Sequence, residues 1–324
     1  MDITGCRSTG TVAAGNIRAG GFIGTIAVAT KVTISKSLSS ATVTTVDKQA
    51  GGFIGYTEKE TEFSQVQFSG KATGLQQVGG LIGAIRKTKV TADDVLITGQ
   101  LHATRDTEAD TRVGGLFGII ADGKPNVTVT RCLITGDITY VSNHKGDCGE
   151  QVGHIQTGKY IATGVYARKG CCDTGKKVGK GSLVEYSQCA TLPAIFLQGA
   201  TAVDAASALN ISTTSKSQST WVALKEGYPA LRIFTNKQNV LSGNGFASLV
   251  DKSWYDVNKS EFTLTDAADL YGFTLLSMDT DFSGKTIKLG ASVTLNGGDA
   301  DTFELSNIRK NLFGVQLNIS KNIW

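Results

Sequence analysis

Six cysteines, three histidines and a few close-set carboxylates are the side chains of this 324-residue chain with the most chemistry to offer. Cys148, Cys171, Cys172 and Cys189 fall in one irregular stretch, where an oxidising compartment would join one or two pairs as disulfides. Adjacent Cys171 and Cys172 are free to pair with different partners, so spacing leaves the pairing open. A zinc site, the rival reading, would want a Cys-x-x-Cys pair, and none occurs. Of His102, His144 and His154, the last two lie near Cys148 as metal candidates. Histidines at exposed loops or solenoid edges are the plainer reading, and no His-Glu-x-x-His of a metallopeptidase is present.

Polysaccharide cleavage needs paired carboxylates, or an acidic cluster with a base, converging on one face. Asp93-Asp94 and Asp106, Glu108, Asp110 are the local groupings, and they sit where repeat lengths vary, as solvated corner loops do. No acidic ladder recurs at matching positions, so no catalytic residue, cofactor or metal is assigned. The basic run Arg86, Lys87, Lys89 lacks the interleaved aromatics that bind nucleic acid, and a net charge of +4 is too slight to attract it. Asn126, Asn210, Asn258 and Asn318 fit the N-glycosylation pattern, which matters only in a eukaryotic secreted protein.

The elements that must position these groups come from a repeat. Gly20-Gly21-Phe22-Ile23-Gly24, Gly51-Gly52-Phe53-Ile54-Gly55, Gly79-Gly80-Leu81-Ile82-Gly83 and Gly114-Gly115-Leu116-Phe117-Gly118 are spaced by 31, 28 and 35 residues. Val152-Gly153-His154-Ile155 reads as a degraded fifth copy. A second column runs Gly10-Thr11-Val12, Ala41-Thr42-Val43, Gly70-Lys71-Ala72, Gly99-Gln100-Leu101 and Gly136-Asp137-Ile138. Four residues before each small residue stand Cys6, Ser37, Val66, Val95 and Cys132; seven before stand Ile3, Ile34, Phe63, Ala92 and Val129. Cys6 and Cys132 share a column with Val66 and Val95, which predicts buried, unpaired thiols packing as small apolar groups.

Units of about 30 residues with short β-branched strands cannot bury their apolar faces alone, so they must stack. The expected fold is all-β: a parallel β-solenoid of about five coils, spaced about 4.8 Å apart, with each sequence column an in-register ladder. The glycine pairs then supply positive φ or let backbone pass closely at a corner. A phosphate loop would carry one such motif followed by a helix, not four with apolar interiors.

Gly-Gly-Leu/Phe-Ile-Gly, then a strand and Cys-x-x-x-Gly-x-Val/Ile, resembles the GLUG repeat. That repeat occurs in large secreted or surface-anchored proteins, adhesin-like ones and the accessory regions of IgA-specific metallopeptidases among them. Trp221 and Gly227-Tyr228-Pro229-Ala230-Leu231 resemble the close of such an array. Phe262 to Leu270 resembles a following strand and helix, with Thr265 as N-cap, then Asp281 to Leu289 and a strand Ser292-Val293-Thr294-Leu295.

The chain thus divides into solenoid repeats over 1–165, an irregular last coil and cap over 166–238, and the start of a second β-rich module over 239–324. Both ends read as cut through repeats. No apolar run approaches the roughly 18 residues of a membrane span, and no export signal opens the chain. The resemblance implies a non-enzymatic, rigid stalk or adhesive segment of a larger cell-surface or secreted protein, with surface glycans or proteins as partners. The rivals are a carbohydrate-binding or carbohydrate-cleaving solenoid, and an intracellular filament-associated scaffold.

Overall fold

A computed structural model of the chain describes residues 1–105, 111–141, 147–181, 184–199, 201–213, 218–225, 227–241, 251–277 and 280–291. They fall into two compact units, Met1–Leu241 and Ser242–Trp324.

The first unit is a parallel β-solenoid. Five complete coils span 2–26, 31–57, 60–86, 89–121 and 126–155, and each contributes strands to four parallel sheets. The ladders continue past residue 165. Strand Lys159–Arg168 and strand Val178–Lys180 form a sixth, irregular coil, and a last pass through Val184–Ser187 and Ala190–Leu192 pairs with Lys159–Arg168.

Each sequence column is a physical ladder. Ile3, Ile34, Phe63, Ala92 and Val129 stack in register, as do Val12, Val43, Ala72, Leu101 and Ile138. From the second coil on these side chains are buried, and they form one continuous core along the axis. The fifth Gly-motif is Gly149-Glu150-Gln151-Val152-Gly153, with Gly149 paired to Gly114 and Val152 to Phe117.

The glycine pairs serve close approach rather than positive φ. A Cβ at Gly80 would strike the carbonyl oxygen of Gly115 and the Ile97 side chain; at Gly115 it would strike Glu150 O and Ile134. Left-handed corners lie elsewhere, and two columns of them are long. Lys36, Gln65, Asp94, Arg131 and Gln188 form one with Gly5 and Gly164, and Arg18, Gln49 and Gln77 form the other. Most of these are polar residues, whose side chains point outward and tolerate αL better than apolar ones.

The segment after Leu192 lies along the flank of the solenoid. Its 3-10 turn Ala194–Leu197, helix Thr201–Ala205 and antiparallel strands Trp221–Val222 and Ala230–Leu231 bring Leu197, Ala202, Leu209, Trp221 and Leu231 together. These cover Leu96, Leu133 and Tyr166, the outward residues of the second half of the long sheet. The expected cap is therefore a lateral cover: the outer face of those strands is itself apolar and demands burial.

In the second unit, strands Glu261–Leu264 and Thr286–Leu289 pair in parallel and are joined through helix Ala267–Leu276, the kind of crossover parallel strands require. Phe262, Leu264, Phe273, Phe282 and Ile287 form its core. The N-cap is Asp266, one residue later than expected: its carboxylate accepts from Asp269 N at 3.0 Å. Asp269 in turn reaches back to accept from Thr265 N and Oγ1. The expected strand at 292–295 lies outside the described residues.

Candidate functional site

The long sheet bends at the αL column, and the half before the bend presents an open outer face. Three outward ladders cross it. Thr4, Ser35, Ser64, Asp93, Thr130, Thr163 and Ser187 form one; Asp2, Thr33, Glu62, Thr91, Thr128, Ile161 and Glu185 a second. Lys31, Glu60, Lys89, Asn126 and Lys159 form the third. Strand alternation sends the intervening Val32, Thr61, Val90, Val127 and Tyr160 into the interior, where all are buried.

Apart from Ile161, each ladder thus repeats a hydroxyl, a charge or an amide at the coil spacing, about 4.8 Å. Thr4 Oγ1 lies 3.0 Å from Ser35 Oγ, so neighbouring hydroxyls already bond along the axis. Charges on the face are paired between coils: Lys31 with Glu62 at 2.7 Å, Lys89 with Glu60 at 3.8 Å, Lys159 with Glu185 at 2.6 Å. The face is periodic and carries charges of both signs. It offers many equal polar contacts and no converging acid–base pair.

Sequence reasoning took Asp93 and Asp94 for corner-loop residues, and the structure corrects this. Both lie within strand Lys89–Ile97, and Asp94 is buried although it stands on an outward position. Arg131 holds the pair, its Nε 2.8 Å from Asp94 Oδ1 and a terminal nitrogen against Asp93. The second side chain on Asp94 is Trp221 of the lateral cover. These carboxylates are committed to structure. Asp106, Glu108 and Asp110 lie outside the described residues.

Cys132 is buried and unpaired as expected, and burial pushes its thiol far above the ordinary value. Cys6 is the correction: it is free but exposed, between short strands that pair with the second coil. Cys148 and Cys172 are joined by a disulfide between adjacent inner columns. Cys171 and Cys189 are free, and burial pushes the Cys171 thiol up to about 12.

His102 Nδ1 lies 2.8 Å from Thr139 Oγ1 on an outward face, and its burial lowers the imidazole's pKa. His154 Nδ1 lies 2.9 Å from Asp147 Oδ2, while His144 lies outside the described residues. Among the described residues no three of His, Cys, Asp and Glu gather as metal ligands. Of the basic run, Arg86 pairs with Asp122 at 2.5 Å and lies over the Tyr56 ring. Asn126, Asn210 and Asn258 are exposed; Asn318 lies outside the described residues.

A second lateral feature escaped the sequence. Along the corner that precedes the glycine pairs, Arg18 Nε donates to Gln49 Oε1 at 3.0 Å and Gln49 Nε2 to Gln77 Oε1 at 3.2 Å. Arg18 stacks 4.0 Å over the Tyr56 ring, whose hydroxyl donates to Glu58; desolvation and that bond raise the phenol to about 12. The ladder fills its own groove and leaves the hydroxyl face as the open candidate surface. No helix among the described residues is long and apolar enough to cross a membrane. No family of known proteins, no curated protein and no solved structure matches this chain.

Proposed function

We infer that this chain is a non-catalytic spacer and adhesive segment of a larger cell-surface or secreted protein, resembling GLUG-repeat arrays. The observation that carries the reading is the hydroxyl and charge ladder running from Thr4 to Ser187 along one exposed face. Stacked coils convert sequence repeats into length, and an evenly repeated face sums many weak contacts with a periodic partner. Surface glycans are such partners, because their hydroxyls recur at fixed intervals; surface proteins presenting an edge strand are others.

The same face supports the non-catalytic part of the reading. Preorganised catalysis concentrates donors and a base at one point, whereas here Asp93 and Asp94 are tied to Arg131 and Trp221. The test is a screen of the purified chain against plant, host and bacterial polysaccharides, with and without divalent metal. Retention that is lost on Thr128→Lys with Thr130→Lys supports the reading. Reducing-end release or unsaturated product above a heat-treated control overturns it.

A further inference from the structure

The Gly-rich motif has a sixth copy, Gly175-Lys176-Lys177-Val178-Gly179, in register with the fifth. Val178 pairs with Val152, while Glu150 N and Gln151 N donate to the carbonyls of Lys176 and Lys177 at 2.7 and 2.9 Å. Two of its residues break the pattern. Lys176 stands where Gly21, Gly52, Gly80 and Gly115 let the next coil's carbonyl pass, and a Cβ at any of those four would strike that oxygen. Lys177 follows Phe53, Leu81, Leu116 and Gln151, all buried, in the column that faces the core. An ammonium thus replaces close backbone contact at one position and an apolar side chain at the other.

In every earlier coil one carbonyl oxygen at this corner takes two successive N–H groups. Phe22 and Ile23 donate to Phe53 O, Phe53 and Ile54 to Leu81 O, and Leu81 and Ile82 to Leu116 O. Leu116 and Phe117 donate to Gln151 O, and Gln151 and Val152 to Lys177 O, with all ten distances between 2.8 and 3.3 Å. In the sixth copy the equivalent donors are the N–H groups of Lys177 and Val178. Strand Val178–Lys180 is the last of its sheet, and among the described residues no acceptor meets either group. The N–H before them, that of Lys176, is taken by Thr174 Oγ1 at 3.3 Å.

The surroundings are basic. Lys176 and Lys180 are exposed and Lys177 is half-buried, and among the described residues none of the three is in an ion pair. Lys177 Nζ lies 5.7 Å from the centre of the Tyr186 ring. The neighbouring carboxylates have other partners. Asp147 lies 2.9 Å from His154, Glu185 lies 2.6 Å from Lys159, and Glu150, which feels the Lys177 charge, accepts from Thr191. Asp173, in the turn before the motif, is exposed.

We propose that the Lys177–Val178 corner of the sixth coil is an anion site, where the two free N–H groups hold one oxygen of an oxyanion such as sulfate and Lys176, Lys177 and Lys180 supply the opposite charge. Successive backbone N–H groups aimed at one point form an anion seat, and the five earlier coils show that this pair converges on a single oxygen. An anionic oxygen makes a stronger bond there than the carbonyl it replaces. Lysines are point charges on flexible stems, so they follow a group whose other oxygens vary in direction. The oxyanion is either a free ion or a group carried on an acidic polysaccharide. The site lies in a different sheet from the hydroxyl face, so it is independent of the adhesive reading.

The test titrates the isotope-labelled full chain with sodium sulfate, dextran sulfate or neutral dextran and follows the amide NMR signals. The expected result is a saturable downfield shift of the Lys177 and Val178 amides with both sulfates and none with neutral dextran. Added sodium chloride should weaken it. Either order of affinity supports the site: tighter binding of dextran sulfate per sulfate group assigns it to a polyanion, and equal binding to the free ion. Lys176→Gln with Lys177→Gln and Lys180→Gln, checked as folded by circular dichroism, should bind about tenfold more weakly. Lys252→Gln with Lys259→Gln, which removes charge elsewhere, should bind as the parent does. Unmoved Lys177 and Val178 amides in the parent chain, equal shifts with neutral dextran, or undiminished binding by the triple variant overturns the proposal. The first two of these need no variant.

Discussion

The indole Nε1 of Trp221 donates to Asp94 Oδ1 at 2.8 Å, joining residues 127 apart in sequence. Trp221 is fully buried, so the lateral cover is pinned to the solenoid by a charge-assisted bond inside an apolar contact. Asp94→Ala leaves that N–H and part of Arg131 unpaired in a buried site, a cost of about 1–3 kcal/mol. The expected outcome is a lower melting temperature, with new protease cuts confined to 193–241. Asp94→Asn, which keeps an acceptor oxygen, should fall between the two.

Glycines of the repeat are expected to separate into two classes. Gly80→Val and Gly115→Val force a side chain into the carbonyl of the adjacent coil and should abolish soluble expression or collapse the melting temperature. Gly10 has φ +84° and nothing within 4 Å of a built Cβ, so Gly10→Ala meets only backbone strain of about 1 kcal/mol. Parallel melts of the three variants check this, and equal effects at all three would count against close approach.

Glu150 replaces the second glycine of the motif and is buried. It fits because the ladder facing it holds Ala167 and Thr191 where earlier coils place Phe68, Ile97 and Ile134; Thr191 Oγ1 donates to its Oε2 at 2.5 Å. Burial, ahead of the opposing Thr191 bond and Lys177 charge, raises its pKa above 4.5. A raised folded value means that the carboxyl favours the fold while protonated. Its contribution is complete below pH 4.5, the unfolded value, and is lost as pH climbs through the higher folded value. Glu150→Gln should therefore melt higher than the parent at neutral pH and lose that segment of the pH dependence, as melts across the range will show.

Thiol labelling of the native chain under non-reducing conditions should rank the cysteines by burial. Cys6 reacts fast, Cys189 more slowly, and Cys132 and Cys171 only on unfolding. Quench-and-digest mass spectrometry reads each rate, and fast labelling of Cys132 would contradict its place in the core.

The repeat made the coil legible from sequence, because parallel stacking turns equal spacing into equal height, so Ile34, Phe63 and Ala92 had to share a ladder. The glycine pairs were legible for the same reason: their need recurs wherever neighbouring backbones touch. What recurs only in space was hidden. The αL corners are filled by Lys36, Gln65, Asp94 and Arg131, which share a conformation but no residue type. Asp94 read as a loop carboxylate because the partner that buries it, Trp221, is far along the chain. Cys6 read as buried because its column is apolar. Burial, however, depends on which coils pack against a residue, and a column's residue types do not give that. Sequence thus determined the coil, its period and its core columns. Tertiary structure decided which outer faces are covered and which charges are tied, since each depends on contacts between segments with no common pattern.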